Sequence, residues 1–170
     1  QHGFVSGRSC TTNLLAALDD WTELIDEGLP VDVVYLDYSK AFDSVPHQRL
    51  IQKLEACGIG SKVLDWVRDF LGGRRQRVHV NGSYSEWSPV TSGVPQGSVV
   101  GPVLFVVYIN DLPEITKSLC QLYADDTKVY SRADELEYRA QLQRALDSLA
   151  DWADKWQLRF NADKCHALHL

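Results

Sequence analysis

The sequence predicts an α+β domain in which an antiparallel sheet carries helices on one face. Three stretches point there. Val31 to Leu36 is an apolar, β-branched run that stops at Asp37, which reads as a buried strand presenting a carboxylate at its end. From Leu119 to Ser131 a β-favouring stretch is interrupted by Asp125 and Asp126, the pattern of a hairpin with a tight turn. A long amphipathic helix follows, with Asp134 and Glu137 as a capping box and Tyr138, Leu142, Ala145, Leu149, Trp152 and Trp156 along one stripe.

The chain has 170 residues, 45% hydrophobic and 24% charged, which suits one globular domain with its own core. Its longest apolar run, Val99 to Ile109, contains Gly101 and Pro102 and is too short to span a membrane. No signal peptide opens it. It starts at Gln1 and contains no Met, and so reads as a piece of a longer reading frame. Cys10, Cys57, Cys120 and Cys165 are widely spaced with no CxxC pair, which fits reduced thiols in an intracellular protein and sets aside a metal tail at Cys165 to His169. With 17 basic against 23 acidic residues the net charge is −6. Nucleic-acid binding would need its basic contacts clustered, or supplied by neighbouring segments.

The elements follow in order. Gln1 to Cys10 is a Gly- and Ser-rich loop. Thr12 begins a helix with Leu14, Leu18, Trp21 and Ile25 on its packing face, ended by Gly28 and Pro30. After the strand at 31–36, Pro46 opens a helix carrying Leu50, Ile51 and Leu54, and a second runs from Ser61 to Leu71 with Val63, Leu64, Val67, Phe70 and Leu71 inward. Arg74-Arg75-Gln76-Arg77 is the densest positive charge, placed at the base of a hairpin whose turn is Asn81-Gly82 and whose return strand includes Tyr84 and Trp87. The three arginines either grip phosphates or form a solvated basic edge that discourages sheet aggregation. Gly93 and Gly97 flank Pro95-Gln96 in a tight loop where backbone can approach a ligand, and a well-buried helix covers about Ser98 to Asn110. After the acidic hairpin and the long helix, a short strand at Leu158 to Phe160 leads to Asn161 and Lys164.

The chemistry lies in the acids. Asp is a common turn former, so a pair at a hairpin tip is unremarkable by itself. If the strand ending at Asp37 lies beside that hairpin, however, three carboxylates converge and repel one another unless cations neutralise them. Hard divalent ions with oxygen ligands suit such a site, Mg²⁺ above all. Two ions roughly 3.5–4 Å apart would stabilise the attacking and leaving oxygens of an in-line phosphoryl displacement.

Tyr123-Ala124-Asp125-Asp126 resembles the YxDD box of reverse transcriptases, and Tyr35 to Asp43 resembles their first catalytic motif. Gly93-Val94-Pro95-Gln96-Gly97-Ser98 with Gly101-Pro102 resembles the second, and Asn161 to Lys164 the fourth. The string Gln1-x-Gly3-Phe4-x-x-Gly7-Arg8-Ser9 resembles the lead-in to the first motif in non-LTR retrotransposons. The resemblance covers nearly the whole chain and is strongest to the LINE-type, chicken-repeat-1 and jockey-like group, with group II intron maturases the nearest competitors.

That resemblance implies a right-hand polymerase palm with part of the fingers, and an RNA-directed DNA polymerase acting in target-primed reverse transcription. It implies Mg²⁺, as two ions held by Asp37, Asp125 and Asp126, with Mn²⁺ as an alternative, and Lys164 as general acid toward pyrophosphate or else an ordinary surface lysine. Phe42 would be an aromatic steric gate under the nucleotide sugar, with Tyr38, Gln96 and Gly97 also at the substrate. Asp43 is ambiguous: in RNA-dependent RNA polymerases a second acid at this spacing reads the ribose, and Phe42 argues against that reading. Arg8 would touch template or nucleotide, or remain a solvated loop arginine, and Arg74, Arg75 and Arg77 would meet nucleic acid. The implied partners are an RNA template, a DNA primer, dNTPs and the rest of the retrotransposon polyprotein, with no membrane. The implied locale is intracellular, the nucleus for target-primed synthesis after cytoplasmic translation. The chain would be a partial domain, without upstream fingers, thumb or endonuclease, and a co-opted relic that binds nucleic acid without chemistry is the alternative.

Overall fold

The structure, a computed structural model, describes residues 1–117 and 120–170. It divides into two compact units: Gln1–Ala41 with Ile109–Leu170, and Phe42–Tyr108. The second is an excursion inserted into the first.

In chain order the elements are α1 (Cys10–Asp26), β1 (Val31–Leu36), α2 (Ala41–Ser44), α3 (His47–Ala56), α4 (Ser61–Leu71), β2 (Arg75–Gln76), β3 (His79–Val80), β4 (Ser83–Tyr84), β5 (Ser88–Pro89), α5 (Val100–Ile109), α6 (Leu112–Ile115), β6 (Cys120–Tyr123), β7 (Asp126–Arg132), α7 (Leu136–Trp156) and β8 (His166–His169). No helix among the described residues is long and apolar enough to cross a membrane.

The first unit is built on a four-stranded antiparallel sheet in the order β6-β7-β1-β8. β1 is interior, paired with β7 from Val31↔Arg132 to Leu36↔Thr127 and with β8 from Asp32↔His169 to Tyr35↔His166. Its alternation sends Val31 and Val33 into a cluster with Ala17 and Trp21 of α1, where Trp21 meets Tyr130 edge-on at 5.7 Å. Tyr38 has the opposite parity and packs against Trp152 of α7. Leu142, Ala145, Leu149 and Trp152 form the buried stripe of that helix, as its periodicity predicted. The antiparallel sheet with packed helices agrees with the sequence reading, but the helices are not confined to one face: α1 covers the face away from α7.

Several local expectations are corrected. The packing face of α1 is Asn13, Ala17 and Trp21, while Leu14, Leu18 and Ile25 are about half exposed. The reason is a buried polar hook: Lys128 Nζ donates to Asn13 Oδ1 at 2.6 Å, and Asn13 Nδ2 reaches Leu122 O at 3.4 Å. Asn13 must face inward to satisfy that ammonium, and the small Ala17 one turn later lets the helix approach the sheet. Asn13→Ala is expected to cost about 1.5–3 kcal/mol, the range for a hydrogen bond to a charged group. Thermal or urea unfolding of the two chains measures it.

The capping box at Asp134 does not form, because Arg132 takes the Asp134 carboxylate through Nε at 2.7 Å and Nη2 at 2.5 Å while Glu137 pairs with Arg144. The N-cap of α7 is Glu135, with no side-chain cap bond. The short strand at 158–160 reduces to one bridge, Tyr38↔Phe160, and the paired strand is β8 instead. The acidic hairpin begins within the described residues at Cys120, and the expected start at Leu119 lies outside them.

In the second unit, α3 and α4 pack through Leu50, Ile51, Leu54, Leu64, Val67 and Leu71, all buried. Val63, expected inward, is exposed, and Phe70 is half-buried beneath Trp66 in a stacked pair at 5.2 Å. Two nested two-stranded ribbons follow, β2 with β5 and β3 with β4, closed at Asn81-Gly82 with φ of 48° and 81°. α5 buries Leu104, Phe105 and Tyr108, whereas Val103 on the same helix is exposed, so it is covered on one side only.

Candidate active site

The last pair of β1 with β7 is Leu36↔Thr127, and the last pair of β6 with β7 is Tyr123↔Asp126. Asp37 therefore follows the end of β1 directly beside Asp126, the first residue of β7. Ala124 and Asp125 form the two-residue turn between the hairpin strands. Ala124 has φ of 53°, a left-handed conformation that costs a residue with a Cβ roughly 1–2 kcal/mol. Beyond β1 the chain stays paired: Asp37 O accepts from Asn161 N at 2.8 Å, and Ser39 N donates to Arg159 O at 2.7 Å. That pairing delivers the turn Ala162–Lys164, and Lys164 Nζ lies 3.7 Å from Asp37 Oδ2.

Asp37, Asp125, Asp126 and Lys164 thus occupy one end of the sheet. The Asp125 carboxyl is pushed above its usual range, first by burial, then by the charges of Asp126 and Asp37, with Lys164 opposing. A cleft of about 470 Å³ at this end is lined by Asp37, Tyr123, Asp126, Lys128 and Lys164, with Asn13 of α1.

The donor set suits a hard divalent cation, being carboxylate oxygens in mutual repulsion. As the side chains stand, no three His, Cys, Asp or Glu residues among those described are spaced to hold an ion. The carboxylates would have to turn toward one another, which their repulsion opposes until a cation is present, and the Lys164 ammonium stands in as the local positive charge beside Asp37.

The other predicted residues fall in the second unit, apart from Tyr38 and Arg8. Phe42 is half-buried and stacks on Phe105, with centroids 4.1 Å apart. Gln96 Nε2 donates to Asp43 Oδ1 at 2.9 Å. Gly97 has φ of 80° with open space where a Cβ would be, and so needs glycine for its backbone and not for room. The loop that holds them is stitched to the segment after Ala41: Gly93 N donates to Val45 O and Val94 N to Phe42 O, each at 2.8 Å.

Two assignments change. The Tyr38 ring is 2% exposed, stacked on Phe160 at 4.6 Å, so it is core and its side chain faces no nucleotide. Arg74 is committed within the unit, donating through Nε to Leu71 O at 2.9 Å and through Nη2 to Gly93 O at 2.6 Å. It props the loop, whereas Arg75 and Arg77 are exposed. Arg8 donates to Gln1 O at 3.1 Å, a bond that closes the N-terminal loop on itself.

The sequence reading also missed groups. The Arg77 guanidinium lies 3.8 Å from the Tyr84 ring centre and 4.7 Å from that of Trp87, and His79 stacks on Tyr84 at 4.2 Å. Aromatic and basic residues on the two sides of the Asn81-Gly82 turn were the available signal. Gln1 and Gly3, which contact Ala124, carried no local signal for that contact.

The family model described as "Reverse transcriptase (RNA-dependent DNA polymerase)" matches residues 1–169. The chain belongs to the reverse transcriptase family. Among its relatives, the RNA-directed DNA polymerase from mobile element jockey of Drosophila melanogaster is 37% identical over 77% of this chain and 15% of its own length. The probable RNA-directed DNA polymerase from transposon BS of the same organism is 33% identical over 96% of this chain and 19% of its own. The resemblance to jockey-like elements read from the motifs is therefore borne out, and the chain spans less than a fifth of either relative. A solved structure of apo telomerase from Candida tropicalis, truncated from the C-terminal domain, has a TM-score of 0.72 at 12% identity, over 95% of this chain and 35% of that one. At that identity the likeness is one of fold, and it supports a polymerase palm. Reverse transcriptases work with divalent metal ions, in keeping with the oxygen donors at this sheet end.

Proposed function

We propose that this reverse transcriptase chain is the palm, with part of the fingers, of an RNA-directed DNA polymerase that adds deoxynucleotides to a primer 3′-hydroxyl in retrotransposition by target-primed synthesis. The observation that carries the reading is the register that sets Asp37 beside Asp126, with Asp125 in the adjoining turn. Asp37 and Asp125, assisted by Asp126, hold two Mg²⁺ ions, with Mn²⁺ able to replace them. Bound there, the ions supply neutralisation of the attacking and leaving oxygens. The protein's own contribution is positioning and charge. Lys164, at 3.7 Å from Asp37, holds a proton for the pyrophosphate leaving group. Arg75 and Arg77 grip template or primer phosphates. An RNA template, a DNA primer and the remainder of the element's polyprotein, including upstream fingers, thumb and endonuclease, complete the machine, which acts in the nucleus.

Phe42 is the sugar gate. Its ring is held flat against Phe105, so a 2′-hydroxyl meets a wall that does not yield. Phe42→Val is expected to raise ribonucleotide incorporation by about 10–100-fold relative to deoxynucleotide, the range for a pocket contact of this size. Competition between dNTP and NTP in primer extension reads it, and unchanged sugar selection removes the gate role. The test of the whole reading is Mg²⁺-dependent extension on an RNA template by a chain extended with its flanking reading frame. No extension by a folded wild type that binds template would favour the non-catalytic, co-opted reading.

A further inference from the structure

The Ala124-Asp125 turn is held from outside the hairpin. Gln1 Oε1 accepts from Ala124 N at 2.9 Å and from Gly3 N at 2.7 Å, while Gln1 Nε2 donates to Ala124 O at 3.2 Å. One carboxamide therefore satisfies both backbone groups of the residue in the left-handed conformation. The two N–H donors and the one carbonyl fix which end of the amide is oxygen. His2 N donates to Leu122 O at 2.8 Å, so the first residues run along the end of β6 as a further short partner. Gly3 approaches so closely that a Cβ on it would lie 2.3 Å from Ala124 N and 3.0 Å from Ala124 Cβ. Ala124 is buried, so water is poorly placed to replace these bonds.

We infer that Gln1 and Gly3 form a clamp on Ala124 that positions Asp125 for metal binding. The inference rests on the polymerase reading for its purpose, but the clamp itself is a matter of geometry. A two-residue turn with a non-glycine in the left-handed region has other conformations open to it, and each would re-aim Asp125. The carboxamide removes them by binding Ala124 from both sides. Gln1 and Gly3 are positioning residues: neither touches substrate, and they act through the turn as outer partners of metal ligands do.

The test uses the chain extended by its flanking reading frame, as wild type, Gln1→Met and Gly3→Ala. Methionine keeps the length of glutamine and removes both hydrogen bonds, and alanine forces the segment off the turn. Three quantities are read: amide hydrogen exchange at Ala124 and at Val129, Mn²⁺ affinity from paramagnetic relaxation without substrate, and the Mn²⁺ concentration for half-maximal primer extension. We expect Ala124 exchange to rise about tenfold or more with Val129 unchanged, and Mn²⁺ affinity to fall about tenfold. Unchanged Ala124 exchange in both variants overturns the clamp. Faster exchange with unchanged Mn²⁺ affinity overturns its positioning role, and equal loss of protection at Val129 shows general loosening and overturns it too. Failure of the wild type to extend a primer, with the exchange and Mn²⁺ changes as expected, sinks the polymerase reading and leaves the clamp standing.

Discussion

Asp125→Asn is expected to reduce primer extension by about 10³-fold or more while the protein stays folded. Metal-mediated neutralisation is worth several kcal/mol at the transition state, and each 1.36 kcal/mol is a factor of about ten. On the proposed reading, losing the Asp125 carboxylate forfeits most of that stabilisation. Stability moves the other way. Burial and the neighbouring Asp126 and Asp37 raise the Asp125 pKa in the fold, so the ionised form is a liability to the folded chain at neutral pH, and a neutral amide relieves it. The melting temperature of Asp125→Asn without metal should equal or exceed that of wild type. Extension near the wild-type rate by the purified variant would refute the site.

The second large effect is expected at Gly93. Its φ is 83°, and a Cβ there would lie 2.7 Å from both Cα and O of Asp43. Gly93 O also accepts from Arg74 Nη2 and from His47 Nε2, at 2.6 and 2.9 Å. Gly93→Ala must therefore take a left-handed conformation and push apart two backbones fastened on both sides of the contact. Strain and overpacking together put the cost at about 2–4 kcal/mol. In a chain of this size that lowers the melting temperature by roughly 5–15 °C. Because the displaced segments carry Phe42 and Gln96, which the proposed reading places at the nucleotide, sugar selection should loosen even below the melting transition. Calorimetry with a dNTP/NTP competition checks both, and an unshifted transition would mean the loop tolerates a displacement that its hydrogen bonds oppose.

What the sequence made legible was local. The run to Leu36 ends where β1 ends, α4 spans the predicted Ser61–Leu71, and Asn81-Gly82 turns the inner ribbon, because periodicity and turn chemistry act over a few residues. The misread features depend on partners far along the chain. Asn13 faces inward because of Lys128, which no count of leucines in α1 reveals. β8 lacks the alternation of a half-buried strand, and becomes one because β1 has a free edge beside it. Arg74 looked like one of a basic cluster until the carbonyls of Leu71 and Gly93 claimed it. At the site, the identities of Asp37, Asp125, Asp126 and Lys164 could be read from motifs, but the contact of Gln1 with Ala124 joins opposite parts of the sequence and only the fold displays it.

The insertion of one unit within the other bears on how the chain assembles. β1 cannot pair with β7 until everything between them has been brought round, and in an unstructured chain the entropy of closing that loop resists the step, at about 0.6 kcal/mol for each doubling of its length. Phe42, at the start of the excursion, stacks on Phe105 near its end. Once the inserted unit has folded, its two ends are fastened and the long loop becomes a short one. The ring proposed to meet the sugar would then also be the latch that hastens closure of the sheet, so a valine there would be felt twice: in which nucleotide is chosen, and in how fast the chain folds.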